Sequence, residues 1–219
     1  MNKQIVAGFV SVKSILESNS REVFRILLEK DRFNSVMRST LRAAEKRQYE
    51  ILLASGIPVT YLSAEDFSAE VSGSTAGGIA AEVGERKFLS LEEILAKKNG
   101  YFAILDGIED PFNFGYALRS LYASGVDGVI LPERNFFTAT ETVVRSSAGA
   151  SELLPCCTVE DLAKACAEIK SAALNWFPPQ RTIAPRMCFT PTSADRSALF
   201  TAENVAEYPR VSWNSVMRW

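Results

Sequence analysis

The chain has 219 residues, of which 47% are apolar and 23% charged, with a net charge of −2. That size and balance describe an ordinary globular chain of one large domain or two small ones. Any contact with a polyanion must come from a local basic patch, because no general positive field exists. There is no histidine, so Ser-His-Asp, Cys-His and His-ligated metal chemistry are excluded. The four cysteines (Cys156, Cys157, Cys166, Cys188) have neither disulfide-framework nor zinc spacing. No apolar run approaches the roughly 18–20 residues of a membrane span, and residues 1–16 lack signal-peptide anatomy. A reducing cytoplasm is the expected compartment, and no metal is expected.

In chain order, strand and helix signals alternate, which predicts an α/β architecture. Val23–Leu28 reads as a strand, Arg38–Ser55 as a helix stopped by Gly56, and Ile57–Leu62 as a strand. Gly77-Gly78 leads into a strand at Ile79–Val83. Residues 85–99 are charged, carry the short amphipathic piece Leu91–Leu95, and are read as a linker. A second module follows with a strand at Tyr101–Leu105, a helix at Asn113–Ser124 closed by Gly125, and a strand at Val126–Leu131. A helix at Thr140–Ala148 and a strand at Leu153–Cys157 come next. The last helix, capped by Thr158 with Asp161 placed for a capping box, ends near Ser171.

Parallel strands with crossover helices place ligand sites at strand carboxyl ends. The loop Asp106-Gly-Ile-Glu-Asp-Pro-Phe-Asn113 leaves such an end and enters a helix, and it is the candidate site. Taken singly, Asn113 reads as a helix N-cap, Asp106-Gly107 as turn chemistry and Arg119 as a solvated or ion-paired helix residue. Gly77-Gly78 reads as a plain turn in preference to a phosphate-approach loop, and Cys156-Cys157 as part of a buried strand. The basic stretch Arg38, Arg42, Lys46, Arg47 reads equally as a solvated face or as an RNA contact.

Leu105-Asp-Gly-Ile-Glu-Asp-Pro-Phe-Asn-Phe-Gly-Tyr-Ala-Leu-Arg-Ser120, followed by Ala123-Ser-Gly-Val-Asp-Gly-Val-Ile-Leu131, resembles the first motif of the SpoU (TrmH-like) family. These are RNA ribose 2′-O-methyltransferases of the knotted SPOUT superfamily. Ser147-Ala-Gly-Ala150, with Leu154-Pro155 after it, resembles the segment that follows in the family. The resemblance covers roughly residues 5–171 and is specific in its second half. It implies a small α/β RNA substrate-binding domain over residues 1–84, the linker at 85–99 and a partial SPOUT-type parallel-sheet methyltransferase domain over 100–171. It also implies S-adenosylmethionine as cofactor, rRNA or tRNA as substrate, and a homodimer. The family's motif Asn and Arg match Asn113 and Arg119. Arg119 would grip an RNA phosphate near the reacting ribose, a role suited to a guanidinium, and Asn113 would orient the same region.

Two departures stand out. Ala76-Gly77-Gly78 occupies the place of a His-Gln-Gly-like turn that contacts RNA in the family. After Ser171, a Gly-Gly-Glu-x-x-Gly-Ile/Val-Ser loop and a Ser-Leu-Asn-Val-Ser segment are both missing. In the family these tie the knot, form most of the cofactor site and supply dimer contacts, so no cofactor-binding residues are assigned here.

Residues 172–219 contain no Gly and no Lys, yet hold all three Trp and five of the nine Pro. Back-translating Leu199–Pro209, and joining the last base of each codon to the first two of the next, permits Val-Tyr-Gly-Gly-Glu-Arg-Gly-Gly-Ile-Ser. That is the missing loop. The same shift on Ser212–Trp219 permits Leu-Glu-Gln-Cys-Asp-Ala-Leu. Residues 172–219 are therefore expected to be an out-of-frame tail with no reason to pack as a domain. The knot is expected to be absent, and activity, dimerisation and cofactor binding impaired. A non-catalytic RNA-binding module is the alternative reading. A small-molecule enzyme on a generic doubly wound sheet ranks below it, for want of a Gly-x-Gly-x-x-Gly fingerprint or a P-loop.

Overall fold

The computed structural model describes residues 3–71, 77–96, 100–133, 140–171, 175–177 and 197–202. Two sheets organise them. The first contains β1 (Gln4–Ala7), β2 (Val23–Glu29), β3 (Val59–Leu62) and β4 (Ile79–Val83) in the order β1-β4-β2-β3. β4 runs antiparallel to both neighbours, while β2 and β3 are parallel, with Ile26 opposite Val59. Around it lie α1 (Phe9–Ser18), α2 (Lys30–Arg38), α3 (Ala43–Leu53) and α4 (Ala64–Glu70). One core joins Val12, Ile15, Ile26, Leu28, Val36, Tyr49 and Leu52; a smaller one packs Phe67 and Val71 on Ala7, Leu27 and Ala80.

The second sheet is parallel throughout. It comprises β5 (Tyr101–Asp106), β6 (Gly128–Pro132), β7 (Cys156–Val159), β8 (Asn175–Phe177) and β9 (Ser197–Ala202), in the order β7-β6-β5-β9-β8. α5 (Leu91–Leu95), α6 (Pro111–Ala123), α7 (Thr140–Ser146), α8 (Ala150–Leu153) and α9 (Leu162–Ser171) complete the element order. Phe102–Leu105 and Val129–Leu131 are buried without alternation, as strands covered on both faces must be. Among the described residues, no helix is long and apolar enough to cross a membrane.

Several expected elements differ in detail. The helix expected from Arg38 begins at Ala43, and a separate helix, α2, runs straight out of β2. Thr158 does not cap the last helix: it lies within β7, and Asp161 Oδ1 accepts from Lys164 N at 2.9 Å instead. A side chain one residue before the helix reaches the orphan N–H; one four residues back cannot. Residues 172–219 are expected to have no reason to pack as a domain; within them, 175–177 and 197–202 form two strands of the second sheet, β9 pairing with β5 and β8 with β9. The apolar run Ala198-Leu-Phe200 has the composition for that place.

The stretch read as a linker is bonded on both sides. Lys87 N donates to Ser20 O at 2.8 Å, and Leu89 N to Cys156 O at 2.9 Å. Ser90 and Glu93 form the capping box of α5, whose Ile94 packs on Phe102. A Cβ at Gly128 would lie 2.7 Å from Ile94 Cγ1, so the glycine lets α5 sit directly on β6.

Two further contacts join the modules. Val144 of α7 is part of the first module's core. Below it, Glu152 is 1% exposed and takes both prongs of Arg21: Nε on Oε2 and Nη2 on Oε1, each at 3.1 Å. Ser20 Oγ donates to the same carboxylate at 2.6 Å. Arg21 also reaches Gln4 Oε1 and the carbonyl of Gly84. Arg86 adds charge 3.9 Å from Glu152 and donates to the carbonyls of Ser151 and Leu154.

Candidate functional site

The Asp106 loop leaves β5 as expected. Asp106 is buried, Gly107 takes a positive φ of 75°, and Asp110 caps α6. Its Oδ2 accepts from Asn113 N at 2.8 Å, and Pro111 fills the first helical position, where no N–H is needed. Asn113 is therefore not the cap. It is the third helical residue, with its backbone N–H satisfied and its side chain exposed. Arg119 is exposed too, and makes no hydrogen bond or ion pair among the described residues.

Asn113 and Arg119 sit on one helix nearly two turns apart, about 9 Å along the axis. Residues at steps of three form a ridge on a helix surface, and here the ridge is Asn113, Tyr116, Arg119, Tyr122. Tyr116 is 55% and Tyr122 48% exposed, with Phe112 alongside at 54%. The motif points to Asn113 and Arg119 but not to the aromatics between and beside them. Their three-residue spacing was the available signal.

The opposite side of α6 explains the rest of the motif. Phe114, Leu118 and Leu121 enter the second module's core with Val129 and Leu131. Gly115 faces α7, where an added Cβ would overlap the Ser146 hydroxyl, lie 2.8 Å from Ser146 Cβ and 3.0 Å from Ser147 N. Alanine ordinarily favours a helix over glycine by up to ~1 kcal/mol. The fixed backbone nitrogen cannot yield, so Gly115→Ala should instead destabilise the fold by about 1–3 kcal/mol in urea unfolding. The double variant G115A/S146G should recover part of that loss, and a G115A more stable than wild type would refute the close packing.

Ser147–Ala150 turns back on the first module. Ser147 Oγ accepts from Ser151 N at 3.1 Å, and Gly149, at φ 82°, lies so close to α1 that a Cβ would be 2.8 Å from Ser14 Cβ. This segment is thus a contact between modules. Cys156 and Cys157 lie on buried β7, where burial raises both thiols, Cys157 to about 11. Neither suits a nucleophile. Gly77 and Gly78 form a turn with φ of 65° and 72°.

The resemblance implies an S-adenosylmethionine site at the carboxyl edge of the second sheet. The described side chains there do not make one. Asp106 is buried, Glu109 and Asp110 are exposed, and Asp110 is committed to the helix cap. A cleft of about 560 Å³ exists, but Ile15, Leu16, Asn19, Arg21, Val23 and Ile57 line it in the first module.

Residues 100–190 match the SpoU rRNA Methylase family model. The match passes Ser171, the expected end of the resemblance. Proteins named as TrmH family tRNA/rRNA methyltransferases are 42% identical over 98 residues in Staphylococcus aureus and 40% identical in Staphylococcus epidermidis. Those matches take in 42% of this chain, and the chain spans about 40% of the length of these curated relatives. Among solved structures, the SpoU methyltransferase AviRb of Streptomyces viridochromogenes, in complex with the cofactor AdoMet, superposes with a TM-score of 0.65 at 17% identity. That superposition covers 98% of this chain and 78% of AviRb. An rRNA methyltransferase of Sinorhizobium meliloti gives 0.63 at 15% identity, covering 95% and 74%. These likenesses show the fold, an α/β pair of modules with a parallel second sheet.

Proposed function

We propose, from the premise that residues 100–190 belong to the SpoU rRNA methylase family, that this chain derives from an RNA methyltransferase acting on a ribose 2′-hydroxyl. The observation that carries the reading is the exposed ridge. Asn113 and Arg119, the motif's polar residues, face solvent while Phe114, Leu118 and Leu121 of the motif pack inward. An exposed arginine on a rigid helix suits a phosphate beside the reacting ribose, where positioning supplies much of the rate. S-adenosylmethionine would supply the electrophilic methyl group. The aromatic side chains on the same ridge favour a second copy of the chain as its neighbour in the intact protein. rRNA or tRNA is the substrate class. The chain as it stands lacks the cofactor loops, and its own activity is expected to be impaired.

The test is transfer of label from S-adenosylmethionine into unmodified total RNA by the frame-restored protein. A methylated 2′-oxygen cannot assist strand cleavage, so the product should survive alkali as a dinucleotide. Arg119→Ala should lower kcat/KM at least tenfold. Label released as a methylated base would overturn the ribose assignment.

A further inference from the structure

Arg119 stands on α6, and part of what fixes α6 lies in the other module. α6 is backed by α7 and α8. α7 also packs on β1 of the first module and α8 on α1, so each of these helices lies between α6 and the first module. With seven and four residues, α7 and α8 are too short to keep their place by their own hydrogen bonds. Isolated helices below about 12–15 residues are marginal in water. Packing sets their position, and that packing comes from both modules.

Neighbouring residues on a helix point about 100° apart, and α7 uses that angle to enter two cores. Val143 belongs to the second module's core with Phe114, Leu118 and Leu121 of α6. Val144 belongs to the first module's core with Val6, Val12 and Ile15. Both valines are fully buried. The contact from α7 to α6 has no slack. Gly115 meets Ser146 and the backbone nitrogen of Ser147 without a side chain of its own, so nothing flexible lies between the helices to absorb a shift. Arg119 is one turn further along α6, about 6 Å. A displacement of α7 therefore passes to the backbone that carries Arg119. Where rate comes from positioning, a misplacement of about 1 Å costs roughly a hundredfold.

We propose that the first module buttresses the Arg119 helix through α7, and that Val144 is a positioning residue for methyl transfer. The role rests on the methyl-transfer reading and adds to it, because the first module then serves the chemical step by holding α6. Kinetics separate this from substrate capture. Loosening a module that only captures substrate raises KM, whereas loosening a buttress lowers kcat.

The test has two arms. In the full chain as written, hydrogen exchange followed by mass spectrometry reads the amides of residues 111–123. Val144→Ala opens a void between α7 and the first module, and exchange over 111–123 should quicken by roughly fivefold or more. Phe67→Leu loosens the first module in a core that Val144 does not enter, and should leave that exchange unchanged. Val144→Thr keeps the shape of valine but buries a hydroxyl, so it should lower the melting temperature and leave α6 in place. In the frame-restored protein, methyl transfer into unmodified total RNA should show kcat reduced by roughly tenfold or more in Val144→Ala, with KM within about twofold of wild type. Val144→Thr and Phe67→Leu should keep kcat within about twofold of wild type. Thermal melting establishes that each variant is folded at the assay temperature. Wild-type exchange over 111–123 in folded Val144→Ala would overturn the proposal. So would a raised KM at unchanged kcat, or an equal fall of kcat in all three variants, which would mark lost stability alone. A frame-restored wild type without methyl transfer would overturn the methyl-transfer reading and the positioning role with it, while the exchange arm still reports on the contact between α7 and the first module.

Discussion

Replacing Glu152 by leucine should cost the fold about 3–5 kcal/mol, the usual penalty for stranding one half of a buried ion pair. The side chains of Arg21 and Glu152 are 1% and 0% exposed, so solvent cannot screen the charge left behind. Leucine would abandon the Arg21 guanidinium, the Ser20 hydroxyl and the nearby Arg86 together. The E152Q variant would still accept hydrogen bonds at this position but carry no charge, and its stability should fall between the two. Urea unfolding at fixed protein concentration reads the difference. The double variant R21M/E152L should regain part of the loss, because it removes the stranded Arg21 charge but leaves the Ser20 hydroxyl and Arg86 without the carboxylate. A single variant within about 1 kcal/mol of wild type would mean the pair is not buried as described.

The location of this pair makes it more than a stability element. Arg21 lies just before β2 of the first module, Glu152 lies in α8 of the second, and Arg86 belongs to the segment between. A break there acts on the seam between modules, so E152L should also raise protease sensitivity near residues 85–99 before global unfolding. Wild-type cleavage rates in a folded E152L would confine the pair to a purely energetic role. With Val144 set in the first module's core and Gly149 against Ser14, the seam is closed by apolar, steric and ionic contacts together.

The sequence reading and the structure agree where chemistry is local. β5 and β6 are built on unbroken apolar runs, as strands of a sheet covered on both faces are, and both lie within a residue or two of their expected ends. α2 escaped because Lys30–Arg38 follows β2 with no turn residue to announce a new element. The motif loop was legible as a strand-to-helix turn, but its cap was misplaced. Asp110 and Asn113 are both good caps, and only the backbone conformation decides between them. The seam was illegible for another reason. Arg21 and Glu152 are 131 positions apart, and no local pattern marks two charged residues as partners. The ridge fell between these cases, since Tyr116 and Tyr122 were in plain view and only the fold shows that their side of α6 is uncovered.

Restoring the reading frame after about Ala172 should create an S-adenosylmethionine site that the described side chains of this chain do not make. By calorimetry the restored protein should bind the cofactor with micromolar affinity, and the present chain at least a hundredfold more weakly, about 2.7 kcal/mol. The reasoning joins the codons to the sheet. In the parallel pairing of β5 with β9, Ala202 stands opposite Asp106, so both strands end at one edge. The shifted reading places Gly-Gly-Glu across the codons of Thr201 to Asn204, directly at that end. A glycine-rich loop would then emerge beside the Asp106 loop, at the carboxyl edge where parallel sheets bind their ligands, with backbone N–H groups free of side-chain obstruction. In the frame as written, the sequence after β9 reads Glu203-Asn204, with no glycine. Sequencing the coding DNA from codon 165 onward decides the premise before any protein is made. A shifted frame that continues into a Ser-Leu-Asn-Val-Ser-like segment supports it, and one closed by stop codons refutes it. Micromolar binding by the chain as written would refute the impaired site even if the shifted frame proves open.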